Sequence, residues 1–185
     1  MYKRQTKYRP IEKYYFSGHI DGDGHTVSNI TIHGVSLDAD GKPLSYADKT
    51  APSRNAVGFI GNLGNGASVR NLHIRNAEMD ASQYVGGIAG LADQYATISN
   101  CSFDGRLTAY NEWAGGILGC SITKPVSDQD VLLIENCRVS GKILGERTVG
   151  GIVADGYAVV TGCVNLADVT AGATFAASDN THDTA

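Results

Sequence analysis

A motif repeated at a near-constant period constrains a fold more than any single residue cluster, because each copy must pack on the next in the same way. This chain carries such a phrase four times. It reads Val85-Gly86-Gly87-Ile88-Ala89-Gly90, Ala114-Gly115-Gly116-Ile117-Leu118-Gly119 and Val149-Gly150-Gly151-Ile152-Val153-Ala154, with a looser first copy, Val57-Gly58-Phe59-Ile60-Gly61. The starts are 28, 29 and 35 residues apart. A second phrase follows each first: Val69-Arg70-Asn71-Leu72-His73-Ile74, Ile98-Ser99-Asn100-Cys101-Ser102-Phe103, Ile134-Glu135-Asn136-Cys137-Arg138-Val139 and a degraded Val160-Thr161-Gly162-Cys163-Val164. Val27-Ser28-Asn29-Ile30-Thr31-Ile32 reads as an earlier copy of it. Short apolar pieces trail each unit, at Ala77-Glu78-Met79, Arg106-Leu107-Thr108, Lys142-Ile143-Leu144 and Asp168-Val169-Thr170.

Each unit is therefore about three short apolar segments separated by Gly, Asn or Asp. Segments of this length, rich in β-branched residues and bounded by turn residues, predict strands. None has the length or the 3.6-residue period of a helix. Three strands in about 28 residues predict one coil of a β-solenoid, whose apolar face is buried only when coils stack at the strand spacing of ~4.8 Å. A propeller blade needs four strands in ~40–45 residues, more than this period supplies. The expected fold is an all-β parallel solenoid, or β-helix, of four to five coils with three short strands each. It is expected to be right-handed, by the rule for parallel crossovers.

Glycine makes up 23 of 185 residues, against a typical ~7%. The excess belongs at turns and close backbone approaches. The net charge is −4 and no basic run occurs beyond the first few residues, which disfavours nucleic acid as a partner. No apolar stretch reaches the 18 or so residues that cross a membrane as a helix, so no membrane insertion is expected within this segment.

Met1-Tyr2-Lys3-Arg4-Gln5 is what GTG TAT AAG AGA CAG encodes when GTG is read as a start. That string is the transposase end used to prepare sequencing libraries. Residues 1–5 are set aside as a scar, and the rest is expected to be a piece of a longer gene. Residues 6–56 hold lead-in strands and an inserted loop, 57–171 the repeats, and 172–185 a frayed tail or linker. Two polar insertions, 35–55 and 121–130, interrupt the period, and such insertions often build a binding face.

The alternation of Val-Gly-Gly-Ile-x-Gly with Ile-x-Asn-Cys-x-Phe-x-Gly resembles the GLUG-motif repeats of bacterial surface proteins, and Phe16 to Ile30 resembles the strand pair that often precedes them. The resemblance covers about residues 15–171. It implies an adhesin-like protein, or a non-catalytic region of a secreted metallo-endopeptidase. The family has no agreed catalytic residues to carry over. Phe59 departs from it where a second glycine is expected, and Gly162 where Asn is expected.

Several constellations bear on function. Cys101, Cys137 and Cys163 share one phrase position and should form a column of small buried side chains; Cys120 lies outside it. Asn71, Asn100 and Asn136 should form a corner ladder. Tyr84 and Trp113 each stand directly before the glycine phrase and should be neighbours on adjacent coils. With Tyr95 and Tyr110 they are the candidate ligand-binding aromatics, on which sugar rings could stack. Asp21/Asp23 and Asp38/Asp40 have the i, i+2 spacing of calcium loops, but position 12 is Ile32 or Lys49 rather than Glu, so they read as glycine turns. No cysteine spacing suits a metal, and no cofactor is expected.

The carboxylates a glycosidase or lyase would draw on are Asp93, Asp104, Glu112, Asp128, Asp130 and Glu135; Asp104 and Glu135 come from adjacent copies and are the pair expected to approach, although they do not share an equivalent offset. The expected function is a non-catalytic repeat domain of an exported bacterial surface protein. It would act as an adhesion and display stalk, extracellular or on the cell surface, with glycan or an extracellular host protein as partner. The alternatives are a β-helix carbohydrate-active enzyme and an accessory region of a secreted peptidase.

Overall fold

A computed structural model describes residues 15–34, 56–121, 123–125 and 131–173. The segment 1–5, the whole insertion 35–55 with Asp38 and Asp40, Asp128, Asp130 and most of the tail lie outside the described residues.

The chain winds through five coils. The first contributes β1 (His19–Asp21), β2 (Thr26–Ser28) and β3 (Thr31–His33). The second contributes β4 (Ile60–Leu63), β5 (Ser68–Arg70) and β6 (His73–Ala81). The third contributes β7 (Val85–Gly86), β8 (Ala89–Ala92), β9 (Thr97–Ser99) and β10 (Ser102–Ala109). The fourth contributes β11 (Ala114–Gly115), β12 (Leu118–Ser121), β13 (Leu132–Glu135) and β14 (Arg138–Gly145). The fifth contributes β15 (Val149–Gly150), β16 (Val153–Asp155), β17 (Ala158–Thr161), β18 (Val164–Asn165) and β19 (Asp168–Ala171).

Each strand pairs in parallel with its counterparts one coil away, which gives four sheets. Sheet I runs β7-β11-β15, sheet II β4-β8-β12-β16, sheet III β1-β5-β9-β13-β17, and sheet IV β2/β3-β6-β10-β14-β18/β19. The described elements are all strands, as the repeat predicts.

A complete coil has four strands rather than three. The glycine phrase, which reads as one strand, bends at Gly87-Ile88 and supplies both β7 and β8. The bend needs glycine because it folds the chain back on its own backbone. A Cβ on Gly86 would stand 2.0 Å from the Ala89 carbonyl oxygen, and one on Gly115 would stand 1.9 Å from that of Leu118. The second glycine faces the interior. A Cβ on Gly87 would meet the Phe103 ring at 2.4 Å, and one on Gly116 would meet the Val139 side chain at 2.6 Å. Glycine on one wall thus makes room for a large residue on the other.

Two sequence alignments need correction. Val57 pairs with Val85, but Ile60 pairs with Ala89 and Leu63 with Ala92. The second coil is therefore one residue shorter at the bend. Phe59 N–H bonds the Gly87 carbonyl at 3.4 Å, as Gly87 N–H bonds that of Gly116 at 3.3 Å, so Phe59 stands where the second glycine is expected, its side chain packs against the core, and Ile88 is the position without a counterpart. Likewise Val27-Ser28-Asn29 is not a copy of the Asn71 phrase. Val27 pairs with Ile74, while Val69 pairs with Ile20. The apolar spacing is the same in both segments, but only pairing decides which corner a segment turns.

The interior is a set of columns, one residue per coil. Ile20, Val69, Ile98, Ile134 and Val160 form one; Ile32, Met79, Leu107, Ile143 and Val169 another; Val27, Ile74, Phe103, Val139 and Asn165 a third. Members in the middle coils are fully buried, each worth roughly 1.5–3 kcal/mol relative to exposure.

Candidate functional site

The corner between sheets III and IV is built from asparagine and cysteine. Asn71, Asn100 and Asn136 all adopt left-handed backbone, with φ of 53°, 52° and 53°. Asn tolerates this region because its short side chain bonds locally. Asn100 Nδ2 donates to Asn71 Oδ1 at 3.2 Å, and Asn71 Nδ2 donates to Asp21 Oδ1 at 2.9 Å. Asp21 also accepts from the Asp23 backbone N–H at 3.0 Å and from Arg70 Nε at 3.0 Å. The Asn71 hydrogen bond, with that of Asp23, holds the Asp21 carboxyl below its ordinary range. Gly162, where Asn is expected, keeps the same backbone at φ 62°, and a Cβ there would meet Asn136 Oδ1 at 2.3 Å.

Cys101, Cys137 and Cys163 follow on the same corner, all as free thiols. Each Sγ donates to the carbonyl two residues earlier, at 3.2, 3.3 and 3.4 Å. Each also reaches a carbonyl of the coil beneath, at 3.6 to 3.7 Å. The contact with Cys101, together with burial, pushes the Cys137 thiol up.

The opposite corner, between sheets IV and I, carries the aromatics. Tyr84 and Trp113 stack with ring centroids 4.7 Å apart and planes 3° from parallel. That separation matches the ~4.8 Å rise between coils, so the rings lie across the solenoid axis like rungs. One face of each is spent on the other. Together they cover Leu91 and Cys120 on the outside of sheet II, a small apolar cluster separate from the main core. Burial, then the charge of Asp155, pushes the Cys120 thiol up to about 12.

Both aromatics sit in left-handed backbone, at φ 48° and 38°. This is a rare and costly conformation for a bulky residue. Polar side chains rim the stack. Trp113 Nε1 donates to Asp155 Oδ2 at 3.0 Å. Gln83 Nε2 donates to Glu112 Oε2 at 3.2 Å, and Arg147 Nη1 to Glu112 Oε1 at 2.9 Å. The sequence offered Glu112 as a candidate carboxylate, but nothing in it joined Glu112 to Gln83 and Arg147 or Trp113 to Asp155.

Tyr110 belongs to the same corner, in the turn that follows β10. Tyr95 does not. It lies in the turn between β8 and β9, exposed, with φ 58°. The carboxylates expected to approach one another are also separated. Asp104, on sheet IV, pairs along the backbone with Arg75 and Ser140 and accepts from Ser140 Oγ at 2.8 Å. Glu135, on sheet III, stands between Ser99 and Thr161.

One acid escaped the sequence reading. Asp80, near the end of β6, is buried and bonds His33 Nδ1 at 2.6 Å through Oδ2, while its Oδ1 has no partner. Burial raises its pKa, with His33 opposing. Nothing in the local pattern marks it, because the residue sits on the outward-facing period of its strand.

Parallel coils, a glycine bend in every turn and ladders at the corners define a β-solenoid repeat protein. The GLUG motif matches residues 81–108, a span of one coil from the end of β6 to β10. It is 29% identical over 104 residues to halomucin of Haloquadratum walsbyi (strain DSM 16790 / HBSQ001). The match takes in 56% of this chain and 1% of halomucin, so the chain spans about a hundredth of the length of that relative. No solved structure matches the chain at a significant level.

Proposed function

We propose that this repeat region is a non-catalytic stalk of an exported cell-surface protein, and that its Tyr84–Trp113 corner contacts glycan. The observation that carries the reading is the corner itself. Two bulky residues are held in costly backbone, half-buried, and ringed by Gln83, Glu112, Arg147 and Asp155. Backbone strain of this kind concentrates where function requires a fixed side chain. An apolar ring edge beside paired amide, carboxylate and guanidinium groups suits a sugar, which offers C–H faces and hydroxyls together.

The similarity to halomucin and the GLUG motif support a surface location. A stalk also suits a fold whose length grows by one coil per repeat without changing its cross-section. A glycosidase or lyase would need a facing carboxylate pair, and Asp104 with Glu135 does not supply one.

The test is a glycan array followed by calorimetric titration of the best ligands. Trp113→Ala is expected to weaken binding at least tenfold while the strand signal in circular dichroism persists. Undiminished binding by that variant removes the corner from the reading. Turnover of any glycan by the wild-type chain, abolished by Asp104→Asn, replaces the stalk with an enzyme.

A further inference from the structure

The outer face of sheet IV runs along the side of the solenoid and gathers its unpaired cations. Three of the five described arginines stand on it, one on each of β6, β10 and β14: Arg75, Arg106 and Arg138. All three are exposed. The other two are paired, Arg70 with Asp21 and Arg147 with Glu112. Among the described residues the guanidinium groups of Arg75, Arg106 and Arg138 have neither a hydrogen bond nor an ion pair. Yet carboxylates stand beside them. Arg75 lies opposite Asp104, and Arg106 opposite Glu78, on adjacent strands. Asp104 accepts from Ser140 Oγ instead, at 2.8 Å.

These arginines line two adjoining hollows. The first, of about 440 Å³, holds Arg75 of the second coil and Arg138 of the fourth, with Ser102 and Asp104 of the coil between them. His73 Nδ1 lies 2.8 Å from Ser102 Oγ. With the Asp104–Ser140 bond, this contact fixes a half-buried polar floor. The second hollow, of about 430 Å³, is lined by Arg106 and Glu78 with Asn29, Thr31 and Asn76. A bulge separates the two. Asn76 is an extra residue in β6, between the Arg75–Asp104 and Ala77–Gly105 pairs, and a bulge of this kind bends its strand. Its backbone is left-handed, at φ 50°, and its Nδ2 donates to Asn29 Oδ1 at 2.6 Å.

We propose that this face binds an acidic polysaccharide, one that carries carboxylates among many free hydroxyls. A guanidinium matches a carboxylate with two parallel hydrogen bonds. One arginine on each of three successive coils suits a chain of repeated charges rather than a single anion. The rest of the lining is hydroxyl, amide and imidazole groups, which bond sugar hydroxyls. Asp104 Oδ2 and the Glu78 carboxylate accept no hydrogen bond among the described residues, so they too are open to hydroxyl donors. The same two carboxylates repel a ligand of dense charge, which disfavours a sulfated chain or a nucleic acid. Bases would also find nothing to stack on, because the one aromatic residue at either hollow, Phe103, is 1% exposed. Binding here does not require the Tyr84–Trp113 corner, which lies beyond the C-terminal ends of β6 and β10.

Affinity electrophoresis of the full chain through gels holding polygalacturonate, alginate or hyaluronan reads the result, with dextran, heparin and single-stranded DNA as comparisons. At least one of the three carboxylated chains is expected to retard the protein, less so as salt is added, and dextran is not. The double variant Arg75→Gln, Arg138→Gln is expected to raise Kd at least tenfold, since it removes two charged hydrogen-bonding groups. It should keep its strand signal in circular dichroism, because both side chains are exposed and unpaired. Arg70→Gln with Lys124→Gln removes the same charge away from this face and is expected to leave Kd unchanged. Retardation by none of the three carboxylated chains overturns the proposal. So does tighter binding of heparin or DNA than of all three, which makes the face a general anion patch. Undiminished binding by the Arg75, Arg138 variant, or an equal loss in the Arg70, Lys124 variant, also overturns it.

Discussion

Two corners of each coil solve the same geometric problem with different residues. At both, the chain turns through a left-handed backbone position in successive coils. At the corner between sheets III and IV the residue is Asn71, Asn100 or Asn136, and Gly162 serves in the fifth coil. These are the residue types that reach that region at least cost. At the corner between sheets IV and I the residue is Tyr84 or Trp113, which pays the full steric penalty. The first corner is a device for winding, in which Asn100 bonds Asn71 and Asn71 bonds Asp21. The second keeps large rings in place against a local preference for Gly or Asn. The difference separates what the solenoid needs from what has been added to it.

The largest expected effect comes from testing that difference directly. Trp113→Ala keeps the left-handed backbone and loses the stack, the cover over Leu91 and Cys120, and the bond to Asp155. A loss of ~2–4 kcal/mol is expected in urea unfolding, at the lower side of large aromatic truncations because the ring is half-buried. Trp113→Gly removes the ring and the strain together, so it should be about 1 kcal/mol more stable than Trp113→Ala. Equal stability of the two variants would mean that the corner is not strained. At the other corner Asn100→Gly should cost little, while Asn100→Ala should cost about 1–2 kcal/mol from backbone strain and the lost ladder bond to Asn71.

Cys120 reports on the aromatic corner without unfolding anything. Its thiol is pushed up to about 12 by burial beneath the rings and by Asp155. Alkylation by iodoacetamide near pH 8 should be far slower than for a free cysteine, since the thiolate is the nucleophile. Trp113→Ala should speed it several-fold by opening the cover. Read by mass spectrometry of the Cys120 peptide, an unchanged rate would show that the rings do not guard this thiol.

The solenoid itself was legible because a repeat declares its own alignment. The shared offset of Tyr84 and Trp113 from the glycine phrase is enough to make them neighbours, and the shared place of Cys101, Cys137 and Cys163 enough to stack them. What was not legible depends on pairing rather than pattern. The missing residue beside Phe59 leaves the apolar spacing intact, so the sequence reads as a substitution alone where the structure also has a deletion. Val27 and Val69 head similar phrases but belong to different sheets, because a period-two pattern is the same on any sheet. The fourth strand per coil was hidden by the bend at Gly87-Ile88, which the glycines permit but no apolar pattern marks. Asp80 was hidden because outward-facing positions on a strand are ordinarily wet.

The smallest expected effects are those of pH, and they have opposite signs at the two corners. Asp21 begins the asparagine ladder, and its folded-state pKa is lowered by the hydrogen bonds from Asn71 and Asp23. Its contribution is therefore fully present above the ordinary value of 3.8 and is lost as pH falls through the lower, folded-state value. Asp80 lies where β6 runs toward the aromatic corner, and burial raises its folded-state pKa. Its contribution is present below 3.8 and is lost as pH rises through the raised value, so at neutral pH its charge works against the fold. Acidification from neutral should first relieve Asp80 and only then, below 3.8, cost the Asp21 ladder. Urea midpoints measured from pH 7 to pH 3 on the wild type, Asp21→Asn and Asp80→Asn assign the two limbs. Asp80→Asn should remove the gain on the first limb, and Asp21→Asn should flatten the loss at the acid end. If Asp80→Asn leaves the first limb intact, the His33 contact at 2.6 Å outweighs burial, and the carboxylate of Asp80 belongs to the winding of the chain rather than to the cost of its aromatic corner.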